Sequence, residues 1–166
     1  MESHSQIKLG LLFLGRKRPG FDMDWGARME ANVREAVNQL KFEVFEPSRK
    51  AVDEASLRQA VVDCKEAEID ALILVQTTMA DGRMAPTLAQ VWPFTPIFWA
   101  TPEKQEGDMI SSCSLVGAHL WASTFRQMEQ PFEILNGDPQ ASETIEKLDT
   151  AVRITAVIRK LRHTRV

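Results

Sequence analysis

The run Ile69-Asp70-Ala71-Leu72-Ile73-Leu74-Val75 constrains the fold of this chain more than any other stretch. It is almost entirely apolar, follows the charged Lys65-Glu66-Ala67-Glu68, and gives way at once to turn-type polar residues. A run this short, without alternation, suits a strand covered on both faces, as in the middle of a parallel sheet. A buried helix segment needs more residues than this. The stretch that follows, Gln76 to Arg83, then lies at the carboxyl end of a central strand. In open α/β sheets that edge is where ligands bind.

The other elements fall into place around this one. Ile7 to Leu14 reads as a first strand, again apolar on both faces, and it breaks at Gly15-Arg16-Lys17-Arg18-Pro19-Gly20, a shaped and cationic loop. Asp22 or Asp24 can cap a helix from about Trp25 to Leu40, whose Met29, Val33, Ala36, Val37 and Leu40 recur at helical spacing. Phe42 to Phe45 is a short second strand. Asp53 and Glu54 suit the first turn of a second helix with Leu57, Ala60, Val61 and Cys64 on its inner stripe. A third helix spans about Ala85 to Val91, with Pro86 tolerated in its first turn. A fourth strand spans Thr95 to Ala100, and Ser114 is placed to cap a fourth helix through Met128. Phe132 to Leu135 is the last strand. A final helix, about Ser142 to Leu161, carries Ile145, Leu148, Val152, Ile154, Ala156, Val157 and Leu161. Strands alternating with helices predict a three-layer, doubly wound α/β fold of the flavodoxin-like kind. Five parallel strands with right-handed crossovers give the order 2-1-3-4-5. That order sets the loops after strands one and three side by side, with the loop after strand four nearby.

At 166 residues the chain reads as one domain spanning 1–166. A net charge of −3 gives no general attraction to nucleic acid or to an anionic membrane surface. No run approaches membrane-spanning length and no signal core follows the amino terminus, so the reading is cytoplasmic. Cys64 and Cys113 stand outside any CxxC or Cys/His spacing and read as ordinary thiols.

Several chemistries hosted by such folds fail on required residues. A flavin-phosphate loop needs hydroxyls after strand one, and Gly15 to Asp22 holds neither Ser nor Thr. A phosphoacceptor domain needs an Asp ending strand three, where this chain has Gln76-Thr77-Thr78. The glycine fingerprints of nucleotide binding are absent. Arg16, Lys17 and Arg18 form either a solvated charged turn or a recognition loop for an anion or polyol, to which arginine brings forked donors. His119 sits within the apolar pattern Leu115, Ala118, Leu120, Ala122 and reads as a packing histidine. No carboxylate and histidine cluster has metal-ligand spacing. Trp92, Phe94, Trp99 and Trp121 are either core residues or, being numerous for one modest layer, part of an apolar seam that takes a partner.

Taken together, GRKRPGFDMDWG, DALILVQTTMADGRMAP, PIFWATPE and the late NGDP resemble the amino-terminal domain of the L-fucose isomerase/L-arabinose isomerase superfamily, in its fucose-isomerase-like branch. The resemblance runs through nearly the whole chain in the same order. It implies an aldose–ketose isomerase in which a divalent metal, usually manganese, is held by Glu, Asp and His of later domains and supports proton transfer through an enediol. It implies that the first domain walls the substrate pocket, commonly that of a neighbouring subunit, through Arg16, Arg18, Thr78, Asp81 and Glu103. It also implies that no catalytic residue and no metal ligand lies in this chain. On that reading 142–166 holds the final helix and the start of a second domain that is missing, so that the chain is a truncated or separately made first domain, inactive alone. A sugar or polyol substrate and the missing domains or neighbouring subunits are then its partners. The alternative is a stand-alone binding or sensory module using the same cleft.

Overall fold

The computed structural model describes residues 6–16 and 19–163. Five strands and five helices alternate along them: β1 (Lys8–Leu14), α1 (Met23–Asn38), β2 (Glu43–Phe45), α2 (Glu54–Glu66), β3 (Ala71–Gln76), α3 (Met84–Val91), β4 (Pro96–Ala100), α4 (Ser114–Gln127), β5 (Glu133–Asn136) and α5 (Ser142–His163). The sheet is parallel throughout, in the order β2-β1-β3-β4-β5. This is the α/β, flavodoxin-like topology expected from the alternation of apolar runs and amphipathic stretches.

The two core layers follow from strand alternation. Leu12, Leu14, Leu72, Leu74 and Phe98 point into one layer, where α2, α3 and α4 supply Val61, Leu88 and Trp121. Leu9, Leu11, Phe13, Ile73, Val75 and Trp99 point into the other, against Val33 and Val37 of α1 and Leu148 and Val152 of α5. Every residue of β3 and β4 is buried. Burial on both faces removes any need for polar alternation, which is why these strands read as continuous apolar runs.

The helix starts are fixed by carboxylates. Asp22 Oδ1 accepts from Trp25 N at 2.9 Å and caps α1. Asp53 and Ser56 form a reciprocal capping box at α2. The expectation that Ser114 caps α4 is overturned: Ser114 Oγ accepts from Thr101 N at 3.1 Å, so its hydroxyl serves the end of β4. The residue before α4, Cys113, has left-handed backbone (φ 51°) and no side-chain cap of its own.

Two further expectations are corrected. His119 is exposed, because α4 buries Gly117, Ala118, Trp121, Ala122 and Phe125 and turns positions 119 and 120 outward. The aromatic seam does not form: Trp92, Trp99 and Trp121 are buried, and Phe94 packs against the same core. Phe98 meets Trp121 and Phe125 edge-on, which uses ring area inside the core. Exposed apolar side chains cluster on α5, where Ile154, Val157, Ile158 and Leu161 face outward, and others stand singly or in pairs elsewhere, as at Met109, Ile110 and Val116. No helix among the described residues is long and apolar enough to cross a membrane.

Candidate functional site

In a parallel sheet all carboxyl ends share one edge, so the loops after β1, β3 and β4 open on the same side. They also touch. Gly15 follows β1 at a point where an added Cβ would come within 2.9 Å of Thr78 Oγ1, so the close approach of the first and third loops requires glycine there. Arg16 N donates to Thr78 Oγ1 at 2.6 Å, and that hydroxyl donates back to Arg16 O at 2.8 Å. Thr77 N donates to Leu14 O at 2.9 Å. The first loop is joined to the fourth by Asp22 N to Ile110 O at 2.8 Å and by an ion pair of Asp22 with Lys104 at 2.7 Å. That pair, more than the cap hydrogen bond, lowers the Asp22 pKa.

With its backbone held by Thr78, Arg16 extends to Asp81, Nη1 to Oδ2 at 2.9 Å. Arg83 grips the same carboxylate through its side chain at 2.8 Å and its backbone N–H at 3.0 Å. Asp81 is therefore held far below the usual carboxylate range, chiefly by the Arg83 hydrogen bonds and then by the charges of Arg83 and Arg16. Gln76 Oε1 accepts from Ala80 N at 2.8 Å and shapes the turn that presents Asp81.

These groups line one side of an open hollow of about 360 Å³, and the first turn of α2 lines the other. Asp53 and Glu54 face into it opposite Arg16, Asp81 and Arg83. The Asp53 carboxyl is lowered first by Ser56, with a smaller contribution from Arg16. Thr87 donates to Glu54 Oε2 at 2.9 Å and steadies it. Two guanidinium groups thus meet three carboxylates, and Asp53 already occupies the amino-terminal end of α2. Forked donors next to acceptors match adjacent hydroxyls of a polyol better than they match a free anion.

The expected residues divide. Arg16 and Asp81 line the hollow together, and Thr78, buried and outside its lining, holds the Arg16 backbone from behind. Arg18 lies outside the described residues. Glu103 does not line the hollow; it closes the start of α4, accepting from Ser111 Oγ, from Ser112 N at 2.9 Å, from Cys113 N at 3.0 Å and from Ser114 N at 2.6 Å. Burial alone raises its pKa, but these hydrogen bonds outweigh burial and the pKa falls. Sequence reasoning passed over Asp53 and Glu54 as residues of the hollow. Their placement in a helix first turn was visible, but their approach to Arg16 depends on the sheet order.

A manganese centre does not fit this donor set. Among the described residues no three His, Cys, Asp or Glu side chains converge on one point. Asp81 is neutralised by two arginines, and Glu103 is taken up by α4.

The class defined here is an α/β, flavodoxin-like domain with a polar hollow at its switch point. No family model matches the chain. It is 21% identical over 123 residues to the sulfoquinovose isomerases of Priestia aryabhattai and Priestia megaterium. The match takes in 74% of this chain, and the chain spans 28% of the length of those relatives. Among solved structures, the lac repressor dimer bound to operator and an anti-inducer aligns over 90% of this chain and 63% of that one, at 14% identity and a TM-score of 0.43. A periplasmic sugar-binding protein of an ABC transporter from Legionella pneumophila aligns over 90% and 67%, at 10% identity and a TM-score of 0.37. Scores at this level carry no functional argument.

Proposed function

We propose that this chain is the substrate-facing first domain of an aldose–ketose sugar isomerase, and that it binds the hydroxyl-bearing side of the sugar while other domains supply the metal and the base. The observation that carries this reading is the similarity to sulfoquinovose isomerases over 74% of the chain. The Arg16–Asp81 hollow supports it, since an aldose–ketose isomerisation needs a sugar held in fixed register with a metal and a proton-transferring group. The charge balance of the hollow favours a neutral stretch of polyol. The fucose-isomerase-like branch and the manganese belong to the same proposal.

Titration of the isolated chain with neutral aldoses, ketoses and a sulfonated sugar, followed by backbone NMR shifts, tests the binding half. Shifts centred on Arg16, Asp53, Asp81 and Arg83 are expected, with the neutral sugars sufficient. No shifts with any sugar would end the reading. The catalytic half is tested by sugar interconversion with added manganese, where the isolated chain is expected to be inactive. Turnover that scales with this chain and disappears with chelator would place the catalytic site here and overturn the division of labour.

A further inference from the structure

A glycine inside a helix needs a reason, because alanine is the better helix former. Gly117 closes the first turn of α4, donating to Cys113 O at 2.9 Å, and lies on the buried face of that helix. An added Cβ there would stand 2.0 Å from Gln76 Oε1, 2.6 Å from Gln76 Cδ and 3.0 Å from Gln76 Nε2. The whole Gln76 amide thus rests against bare backbone of α4. Gln76 is the last residue of β3 and is only 4% exposed. Its Oε1 accepts from Ala80 N at 2.8 Å, and Ala80 is buried as well. Ala80 adjoins Asp81, whose carboxylate meets Arg16 at 2.9 Å. Further along α4, Leu120 packs against Gly82 on the other side of Asp81, where an added Cβ would stand 3.0 Å from Leu120 Cδ2. The same stretch of α4 therefore supports the turn 76–82 at both ends.

We infer that Gly117 and Gln76 are positioning residues of the hollow, which act through the turn 76–82 by aiming Asp81 at Arg16. A side chain at position 117 would strike the end of Gln76 and not backbone, so the fold can yield by turning that amide aside. The amide then gives up its hydrogen bond with Ala80. A buried N–H left without its acceptor is costly, and the turn shifts to satisfy it. The Asp81–Arg83 contacts span two residues and travel with the turn. The Asp81–Arg16 contact bridges the third and first loops, so it depends on where the turn stands. A displacement of about an ångström is enough to spoil such a contact. The consequence for binding rests on the sugar reading above; the geometry of the turn does not.

Amide hydrogen exchange tests the geometry without any ligand. In Gly117→Ala the Ala80 N–H should exchange about tenfold faster than in the wild-type chain, while the amides of β3 and α2 exchange as before. Gln76→Ala, which adds no atom to the core, should do the same. Neutral-sugar affinity, read by the NMR titration described above, should fall about fivefold in each variant, the value of one neutral hydrogen bond. Gly117→Ala combined with Gln76→Ala should bind no more weakly than Gln76→Ala alone, because residues acting through one contact do not add. Arg16→Lys should lose most of its effect in the Gly117→Ala background, where Arg16 and Asp81 no longer converge; a purely structural glycine would leave that effect whole. Unchanged Ala80 exchange in both single variants overturns the inference. So do additive losses in the double variant, or a sugar affinity untouched by loss of the Ala80 hydrogen bond. A wild-type chain that binds no sugar ends the sugar reading instead, and the Ala80 exchange then decides the inference by itself.

Discussion

Asp81 and Glu103 hold equivalent places, each in the loop beyond the carboxyl end of a central strand, and their surroundings differ in kind. Asp81 is held by Arg16 and Arg83, two long side chains that are themselves open to water. Glu103 is held by backbone N–H groups at the start of α4 and by the hydroxyls of Ser111 and Ser112. The first arrangement leaves donors and acceptors that a ligand can recruit. The second consumes both carboxylate oxygens in building the fold. The two carboxylates sit alike along the chain; the donors behind each decide which role it plays.

The sharpest way to break that comparison is to remove Glu103. Glu103→Ala leaves the amino end of α4 without its acceptor and strands buried donors, so unfolding by urea should show a loss of about 3 kcal/mol. Glu103→Gln keeps one acceptor oxygen and should lose less. In either variant the folded fraction should still show sugar-induced shifts at Arg16 and Asp81. A Glu103→Ala chain of unchanged stability that no longer binds sugar would reverse the two roles.

Acid should separate the two carboxylates next. Glu103 has a folded pKa below its ordinary 4.5. A depressed carboxylate contributes stability that is fully present above the unfolded value and is lost as pH falls through the folded one. Stability should therefore be flat in this respect from neutrality down to about 4.5 and then decline, and the decline should be shallower in Glu103→Gln. Asp81 has the same sign and a larger displacement, but it pairs with solvent-exposed partners and screening shrinks what it returns to stability. Asp81→Asn should leave the acid limb of the curve nearly unchanged. A stability curve governed by Asp81 instead would mean that the Arg16–Asp81 contact is structural.

These outcomes bear on what could be read from the residues alone. The sheet order was legible because strands buried on both faces print themselves as apolar runs, and α2 was legible down to its stripe of Leu57, Ala60, Val61 and Cys64. The meeting of Arg16 with Asp81 followed from strand order, since it needs only adjacent strands. Glu103 was not legible: its donors lie eight to eleven residues onward, in a loop without periodicity. The one available signal was the hydroxyl-rich Ser111-Ser112-Cys113-Ser114 ahead of a helix, which reads as a capping site in search of a carboxylate. His119 was misjudged for a reason of helix geometry, whereas the burial of Trp92, Trp99 and Trp121 is the core alternative that the sequence had left open. A helix with two apolar faces, as in α4 and α5, gives a pattern that does not say which face meets the sheet.

Asp81 itself carries the next prediction. Asp81→Ala frees both guanidinium groups and removes the acceptor between them, so sugar affinity should fall about tenfold, the value of one hydrogen bond to a charged group. Stability should change little, because the exposed pairs contribute little to it. Binding that survives Asp81→Ala intact would remove the hollow from the argument.

The smallest effect distinguishes the two arginines. Arg16 is positioned from behind, its backbone N–H and carbonyl both pinned by the Thr78 hydroxyl. Arg83 reaches Asp81 from two residues away, and its side chain is 81% exposed. A pinned donor spends less entropy when it binds, so Arg16 is the group that can hold a hydroxyl in register. Arg16→Lys keeps the charge and loses the planar fork, and should weaken sugar binding several-fold. Arg83→Ala should alter it by less than about twofold, within the range of a surface pair. Thr78→Val, which unpins Arg16 without touching a charge, should fall between the two. If Arg83→Ala proved the more damaging change, recognition would rest on the local Asp81–Arg83 turn and not on the meeting of the first and third loops.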